Sequence, residues 1–247
     1  MLPRPRALLL DFGGVIVTSD RGHSAEVLPK LAGRVRQLIG GVLTVAEIES
    51  ELQRAGQLRD ELRKESAECL EISPERFWGE LVADLWPAPA REAVVAHAAD
   101  LTYDYCYRRS WRLVDGMSDL LDYTLQSGLP VAVVSNTASG QAHRVGLEHL
   151  GVGGAFALQV YSDELGRYKP HPDMIFAATR ELYVAPSDCW MVGDTVHRDI
   201  ECSRRAGVGA AILMAPAPND DADATVLNGH ELLKLLRSAS PPGAGSR

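Results

Sequence analysis

Apolar positions along the chain fall into two regimes. Ala7-Leu-Leu-Leu10, Val131-Ala-Val-Val134, Phe156 to Tyr161, Trp190-Met-Val192 and Ala210 to Leu213 are short continuous runs. Such runs are the pattern of strands buried on both faces of a parallel sheet. Stretches with helical spacing alternate with them: Ser118 to Ser127, one opened by Ser135-Asn-Thr137 and closing near Gly151, Asp173 to Tyr183, and Arg198 to Arg205. Gly128 and Gly207 stand where left-handed helix caps are expected. Alternation of this kind predicts an α/β fold built on a doubly wound parallel sheet.

From about Ser24 to Arg109 the strand signals vanish. Thr44-Val-Ala-Glu47 has the form of a capping box. Ser73-Pro-Glu75 offers an N-cap, a proline at the first helical position and an acid in the first turn. Phe77, Leu81, Val82 and Leu85 then mark one apolar face. Pro87-Ala-Pro89 ends that helix, and another runs from about Arg91 to Tyr107. The spacing predicts a sheet core from residues 1–20 and 111–237 and an inserted α-helical cap over 21–110. The segment 238–247, rich in Ser, Pro and Gly, is expected to be a disordered tail.

Composition narrows the function classes. The 247 residues are 46% hydrophobic and 23% charged, ordinary values for a globular chain. A net charge of −8 with no basic segment argues against binding to a nucleic-acid backbone. No uninterrupted apolar run approaches the roughly 18 residues of a membrane span. The apolar run before Asp11 is too short for a secretion signal. Cys69, Cys106, Cys189 and Cys202 form no CxxC pair, so they read as reduced thiols and the expected location is cytoplasmic.

Ligands of doubly wound sheets bind beyond the carboxyl ends of the strands. At those ends stand Asp11, then Ser135, Asn136 and Thr137, then Asp194 and Asp199. Lys169, one of four lysines in the chain, precedes a helix in Tyr168-Lys-Pro-His-Pro172. Three carboxylates, hydroxyls and an ammonium at one sheet edge suit a divalent cation and a phosphate. Structural readings stand beside these: Asp11 as cap of the Gly13-Gly14 turn, Ser135 and Thr137 as N-caps, Asp194 and Asp199 as first-turn acids, Lys169 as a surface group.

Four motifs in order resemble those of the haloacid dehalogenase (HAD) superfamily with a C1-type helical cap: Leu-Leu-Leu-Asp11-Phe-Gly-Gly-Val15, Val-Val-Ser135-Asn136-Thr137, Lys169-Pro170 and Val-Gly193-Asp194-x4-Asp199. The resemblance implies a HAD-type Rossmann-like core and a Mg2+-dependent phosphatase acting on a small phosphorylated metabolite. Asp11 would be the nucleophile that forms an aspartyl-phosphate. Ser135, Asn136, Thr137 and Lys169 would bind the substrate, with Ser135 and Lys169 also serving catalysis. Asp11, the Gly13 carbonyl, Asp194 and Asp199 would form the metal set, Asp199 either directly or through water and the loop. Phosphatases of this family usually carry an aspartate general acid where this chain has Gly13. Asp20, His171 and His197 are candidates for the missing proton transfer.

Two other functions fit the same motifs: 2-haloacid dehalogenation, which needs no metal, and phospholigand binding without turnover. Trp78, Trp86 and the Tyr103, Tyr105, Tyr107 series read either as pocket lining or as cap core. Arg108-Arg109 reads either as a holder of a second anionic substrate group or as an exposed helix end. His23, His97, His143, His149 and His230 match no pattern and are expected at the surface.

Overall fold

The computed structural model describes residues 2–19 and 23–240. The main sheet has six parallel strands in the order β5-β4-β1-β6-β7-β8. They are β1 (Ala7–Leu10), β4 (Val131–Ser135), β5 (Leu158–Tyr161), β6 (Cys189–Gly193), β7 (Ala210–Met214) and β8 (Ala224–Val226). A separate antiparallel pair joins β2 (Val17–Thr18) to β3 (Arg112–Leu113). Strand side chains alternate between faces. Leu8, Leu10, Val131 and Val133 accordingly enter one apolar cluster, and Ala7, Leu9, Ala132 and Val134 enter another. Both faces are thus buried, which is why the strands are continuously apolar rather than alternating.

Helices α1 (His23–Glu26), α2 (Leu28–Leu38), α3 (Val45–Glu65), α4 (Pro74–Arg76), α5 (Ala88–Ala96) and α6 (Ala98–Cys106) follow β2. They close on an apolar cluster of their own that includes Leu31, Ile48, Leu52 and Trp78. The expected capping box is formed: Thr44 Oγ1 accepts from Glu47 N, and Glu47 Oε2 accepts from Thr44 N. The sheet is covered by α7 (Met117–Ser127), α8 (Gly140–His149), α9 (Ser162–Leu165), α10 (Asp173–Glu181), α11 (Glu201–Ala206) and α12 (Gly229–Ser238). Gly128 and Gly207 adopt the expected left-handed caps at φ 66° and 69°. No helix among the described residues is long and apolar enough to cross a membrane.

Several expectations are corrected. The helix expected over Arg91 to Tyr107 starts at Ala88 and breaks at His97. There the imidazole Nδ1 donates to the Ala93 carbonyl at 2.9 Å, competing with the helix ladder. The apolar face ends before Leu85, which is 86% exposed, because a π-helical turn over Phe77–Val82 finishes the helix at Ala83. Ser135-Asn-Thr137 opens no helix; α8 begins later, capped by Ser139 Oγ accepting from Ala142 N. Residues 238–240, expected in the tail, belong to the folded part. Ser238 ends α12 and Ser240 pairs with Leu2 and Arg4 through main-chain bonds, while residues 241–247 lie outside the described residues.

His143 is not at the surface. Its ring stacks on Phe12 with centroids 3.8 Å apart and meets Trp111 edge-on at 5.4 Å. Its Nδ1 is buried without a hydrogen-bond partner. Burial, with the nearby Arg108 charge, pushes its pKa down to about 3, so the folded protein holds the neutral ring.

Two stability outcomes follow from this packing. Trp78 is fully buried and its Nε1 donates to Thr102 Oγ1 at 2.9 Å. Trp78→Phe should cost about 2–3 kcal/mol in urea unfolding through a void and a stranded hydroxyl; a loss near zero would mean that the helices close on no core there. His143 takes up a proton at about pH 6.5 when unfolded but near 3 when folded, so its contribution is full above pH 6.5 and falls away below it. Urea unfolding should therefore lose ~2 kcal/mol from this group between pH 7 and pH 5. His143→Phe should remove that part of the slope.

Candidate active site

β1 lies between β4 and β6, where the chain switches from building one side of the sheet to building the other. A crevice at the carboxyl ends of the strands is the geometric result. Asp11 follows β1, Ser135 ends β4, and Asp194 follows β6. All three line one cavity of about 370 Å³, together with Gly13, Asn136, Thr137, Lys169 and Asp199. The sequence candidates for nucleophile, phosphate contact and metal set are therefore brought together.

Lys169 is the centre of the arrangement. Its side chain is 1% exposed, yet its ammonium has three acceptors: Asp11 Oδ1 at 2.9 Å, Asp199 Oδ1 at 2.6 Å and the Val134 carbonyl at 2.7 Å. Burial works to lower the lysine pKa, but the two carboxylates outweigh it and hold it above the ordinary range. Asp199, itself buried and sharing that lysine with Asp11, has its pKa raised. A surface reading of Lys169 is excluded by this geometry.

The remaining groups hold the loops. Asn136 clamps the main chain of Lys169, donating to its carbonyl at 2.9 Å and accepting from its N–H at 2.7 Å. Thr137 Oγ1 accepts from Ser139 N, and Thr137 N donates to Ser162 Oγ. Asp199 Oδ2 accepts from Thr195 N at 3.0 Å, while Asp194 Oδ1 accepts from the Thr195 hydroxyl at 2.8 Å. Two glycines make this closeness feasible. A Cβ on Gly193 would stand 2.1 Å from the Asp199 Cβ, and one on Gly14, at φ 74°, would stand 2.4 Å from Asp194 Oδ2.

Carboxylate oxygens of Asp11, Asp194 and Asp199 lie within 4.8 Å of one another. That hard, all-oxygen donor set fits Mg2+. Asp199 has both oxygens engaged, by Lys169 and by Thr195 N. Asp11 and Asp194 each keep Oδ2 without a hydrogen-bond partner among the described residues. The geometry thus fits the loop-holding alternative for Asp199 better than direct ligation.

Neither of the described proton-transfer candidates, His171 and His197, lines the cavity with Asp11. His171 pairs with Asp173 at 3.3 Å, and His197 lines a neighbouring cleft of about 590 Å³. Asp20 lies outside the described residues. The helical segment contributes Arg59 and Arg63 of α3, which sequence spacing did not single out, beside Tyr105 and Arg108, which it did. Trp78 and Trp86 belong to the cap core, and Arg109 is exposed away from the cavity. Glu71 accepts from both Arg59 and Arg63, and Ser162 Oγ bonds it at 2.6 Å.

Two attachments hold the helical segment over the site. At the hinge, β2 pairs with β3, and Glu26 accepts from Arg109 N and Ser110 N. Burial would raise the Glu26 pKa, but these bonds and that from Ser110 Oγ hold it below the ordinary value. On the far side, Glu71 N donates to the Gly166 carbonyl at 2.9 Å and Tyr168 N to the Cys69 carbonyl at 3.0 Å. Leu70 and Arg167 form an antiparallel bridge between these bonds.

Comparison with known proteins agrees with this architecture. A family model described as haloacid dehalogenase-like hydrolase matches residues 5–207. A phosphoglycolate phosphatase of Xanthomonas campestris pv. campestris is 30% identical over 204 residues, covering 83% of this chain and 80% of that protein. The structure of a 2-haloacid dehalogenase from Pseudomonas syringae superposes with a TM-score of 0.66 at 18% identity, covering 96% of this chain and 99% of that one. A HAD phosphatase from Thermococcus onnurineus gives 0.61 at 18% identity, covering 94% and 98%. The last two likenesses concern the fold. On the match over 203 positions and the near-full-length relative, the chain belongs to the haloacid dehalogenase-like hydrolase family.

Proposed function

We propose that this HAD-family phosphatase hydrolyses a small phosphate monoester with Mg2+, through an aspartyl-phosphate on Asp11. The observation that carries the reading is the buried Lys169 ammonium bonded to both Asp11 and Asp199, with the Asp194 carboxylate beside them. Asp11 and Asp194 would hold the cation through their oxygens, joined by the Gly13 carbonyl. When bound, the cation offsets the repulsion between an anionic carboxylate and an anionic phosphate.

In the first half-reaction an Asp11 oxygen bonds to phosphorus and the bond to the leaving alcohol oxygen breaks. Lys169 holds Asp11 in place through its hydrogen bond to Oδ1. Ser135 is 3% exposed on the cavity wall and suits a hydrogen bond to a phosphoryl oxygen. Water then attacks the phosphorus of the aspartyl-phosphate, which releases phosphate and restores the carboxylate. Gly13 supplies no acid, so the leaving oxygen takes its proton from a donor other than residue 13. Dehalogenation needs no cation and leaves the Asp194 carboxylate without a task, which favours phosphate chemistry.

The near-full-length relatives named phosphoglycolate phosphatase support a small substrate, as does a cavity near the lower end of ligand-site volumes. Wild-type protein should release phosphate from p-nitrophenyl phosphate with Mg2+ and stop when EDTA is added. Asp11→Asn should lower that rate by about a thousandfold or more; an unchanged rate would remove the nucleophile, and chloride release from 2-chloropropionate without Mg2+ would reverse the reading. At Gly13 a Cβ would meet nothing within 4 Å and φ is not positive, so a side chain fits. Gly13→Asp should raise turnover of an alkyl phosphate, whose leaving group needs a proton, on the order of tenfold or more. No gain would mean that protonation of the leaving group does not limit the rate.

A further inference from the structure

Ser162 joins the helical segment to the loop that follows Ser135. It is fully buried at the start of α9, and its Oγ has three polar neighbours. Thr137 N donates to it at 2.9 Å, the Thr137 carbonyl stands 3.0 Å away, and Glu71 Oε2 stands 2.6 Å away. Thr137 follows β4 of the sheet, whereas Glu71 lies between α3 and α4. The two parts of the molecule therefore meet on one hydroxyl.

That hydroxyl has a single proton for two acceptors. The carboxylate holds it: its bond is the shorter, and hydrogen bonds to a charged acceptor are roughly twice as strong as neutral ones. With the proton turned to Glu71, the oxygen lone pairs face the Thr137 N–H, and bonds in such a chain strengthen one another. Without Glu71 the proton turns to the Thr137 carbonyl, so the hydroxyl bonds both polar groups of one residue. The loop thus has two hydrogen-bond arrangements, and Glu71 selects between them.

Glu71 is fixed for this contact from several sides. Its side chain is 3% exposed, its Oε1 accepts from Ile72 N at 3.1 Å and from Arg59 at 3.4 Å, and its Oε2 also accepts from Arg63. Its main-chain N–H donates to the Gly166 carbonyl just after α9. On the core side the loop residues have separate partners. Ser135 lines the cavity, Asn136 grips the Lys169 main chain, and Thr137 is anchored to Ser162.

We infer that Glu71 is a positioning residue for the phosphate-binding loop: it takes the Ser162 proton while the helical segment is seated, and so fixes Thr137 and, through it, Ser135. The phosphate contact of Ser135 rests on the proposed function; the link from Glu71 to Thr137 does not.

Glu71 also holds Arg59 and Arg63 on the cavity, and a double-mutant cycle separates that role from this one. Hydrolysis of p-nitrophenyl phosphate with Mg2+ is measured for the wild-type protein, Glu71→Gln, Ser162→Ala and the double variant. Glu71→Gln keeps the shape and removes the charge that holds the proton. It should lower kcat about tenfold and change KM less than about twofold, because a loose loop misplaces the transition state more than the bound ester. In the Ser162→Ala background the same change should lower kcat less than about twofold. Should Ser162→Ala not fold, Ser162→Cys, with a weaker donor of similar size, takes its place. An equal loss in both backgrounds, a loss confined to KM, or no loss overturns the inference.

Hydrogen exchange of the Thr137 amide, read by NMR against that of Val133 in the sheet, needs no turnover. Glu71→Gln should speed exchange at Thr137 at least about threefold and leave Val133 unchanged, which also shows that the variant is folded. Unchanged exchange at Thr137, or equal acceleration at both amides, overturns the link. Acceleration at Thr137 alone in a protein that releases no phosphate keeps the link and defeats the phosphatase reading. Hydrolysis with independent losses defeats the link alone.

Discussion

A single ammonium organises this molecule. Lys169 is buried with three protons and three acceptors, two of them carboxylates from different loops and one the Val134 carbonyl of the central sheet. A buried cation is tolerated only with such compensation. The compensation fixes where Asp11, Asp199 and the end of β4 must stand relative to one another. Asn136 completes the constraint by gripping the lysine main chain from the next loop. The site is thus a property of the packed sheet edge rather than of any one loop.

The sheet supplies what that constraint needs. Because its strands are buried on both faces, their ends cannot shift without disturbing two apolar layers at once. β1 sits at the reversal of strand order, so the loops after β1, β4 and β6 diverge from a common line and leave room for a cavity between them. The helical segment is inserted between β1 and the rest of the sheet. Its position over the cavity follows from β2 and β3 running side by side as its entry and exit.

What could be read from the chain beforehand depended on how local the signal was. Continuous apolar runs announced β1, β4, β6 and β7, and glycines after helices announced the caps at Gly128 and Gly207, because those signals act within a few residues. Asp11, Ser135, Lys169 and Asp194 were legible through four motifs in order. The burial of His143 was not, since it depends on Phe12 and Trp111, far away in sequence. Arg59 and Arg63 were equally hidden. On their own helix they look like solvated charges, and only the fold places them on the cavity that Asp11 also lines. The break at His97 escaped because no glycine or proline marks it; its only local sign is a side chain bonded to the Ala93 carbonyl.

The antiparallel contact between residues 69–71 and 166–168 has a consequence for how the enzyme can work. Its last bonded residue, Tyr168, immediately precedes the lysine around which the charges are arranged. A lid hinged at β2 and β3 therefore cannot swing as a free door. Lifting it peels a short zipper whose next tooth is Lys169, and slackens the chain that aims the ammonium at Asp11. In the proposed reaction, admitting a substrate at that edge and loosening the grip on Asp11 would then be a single event.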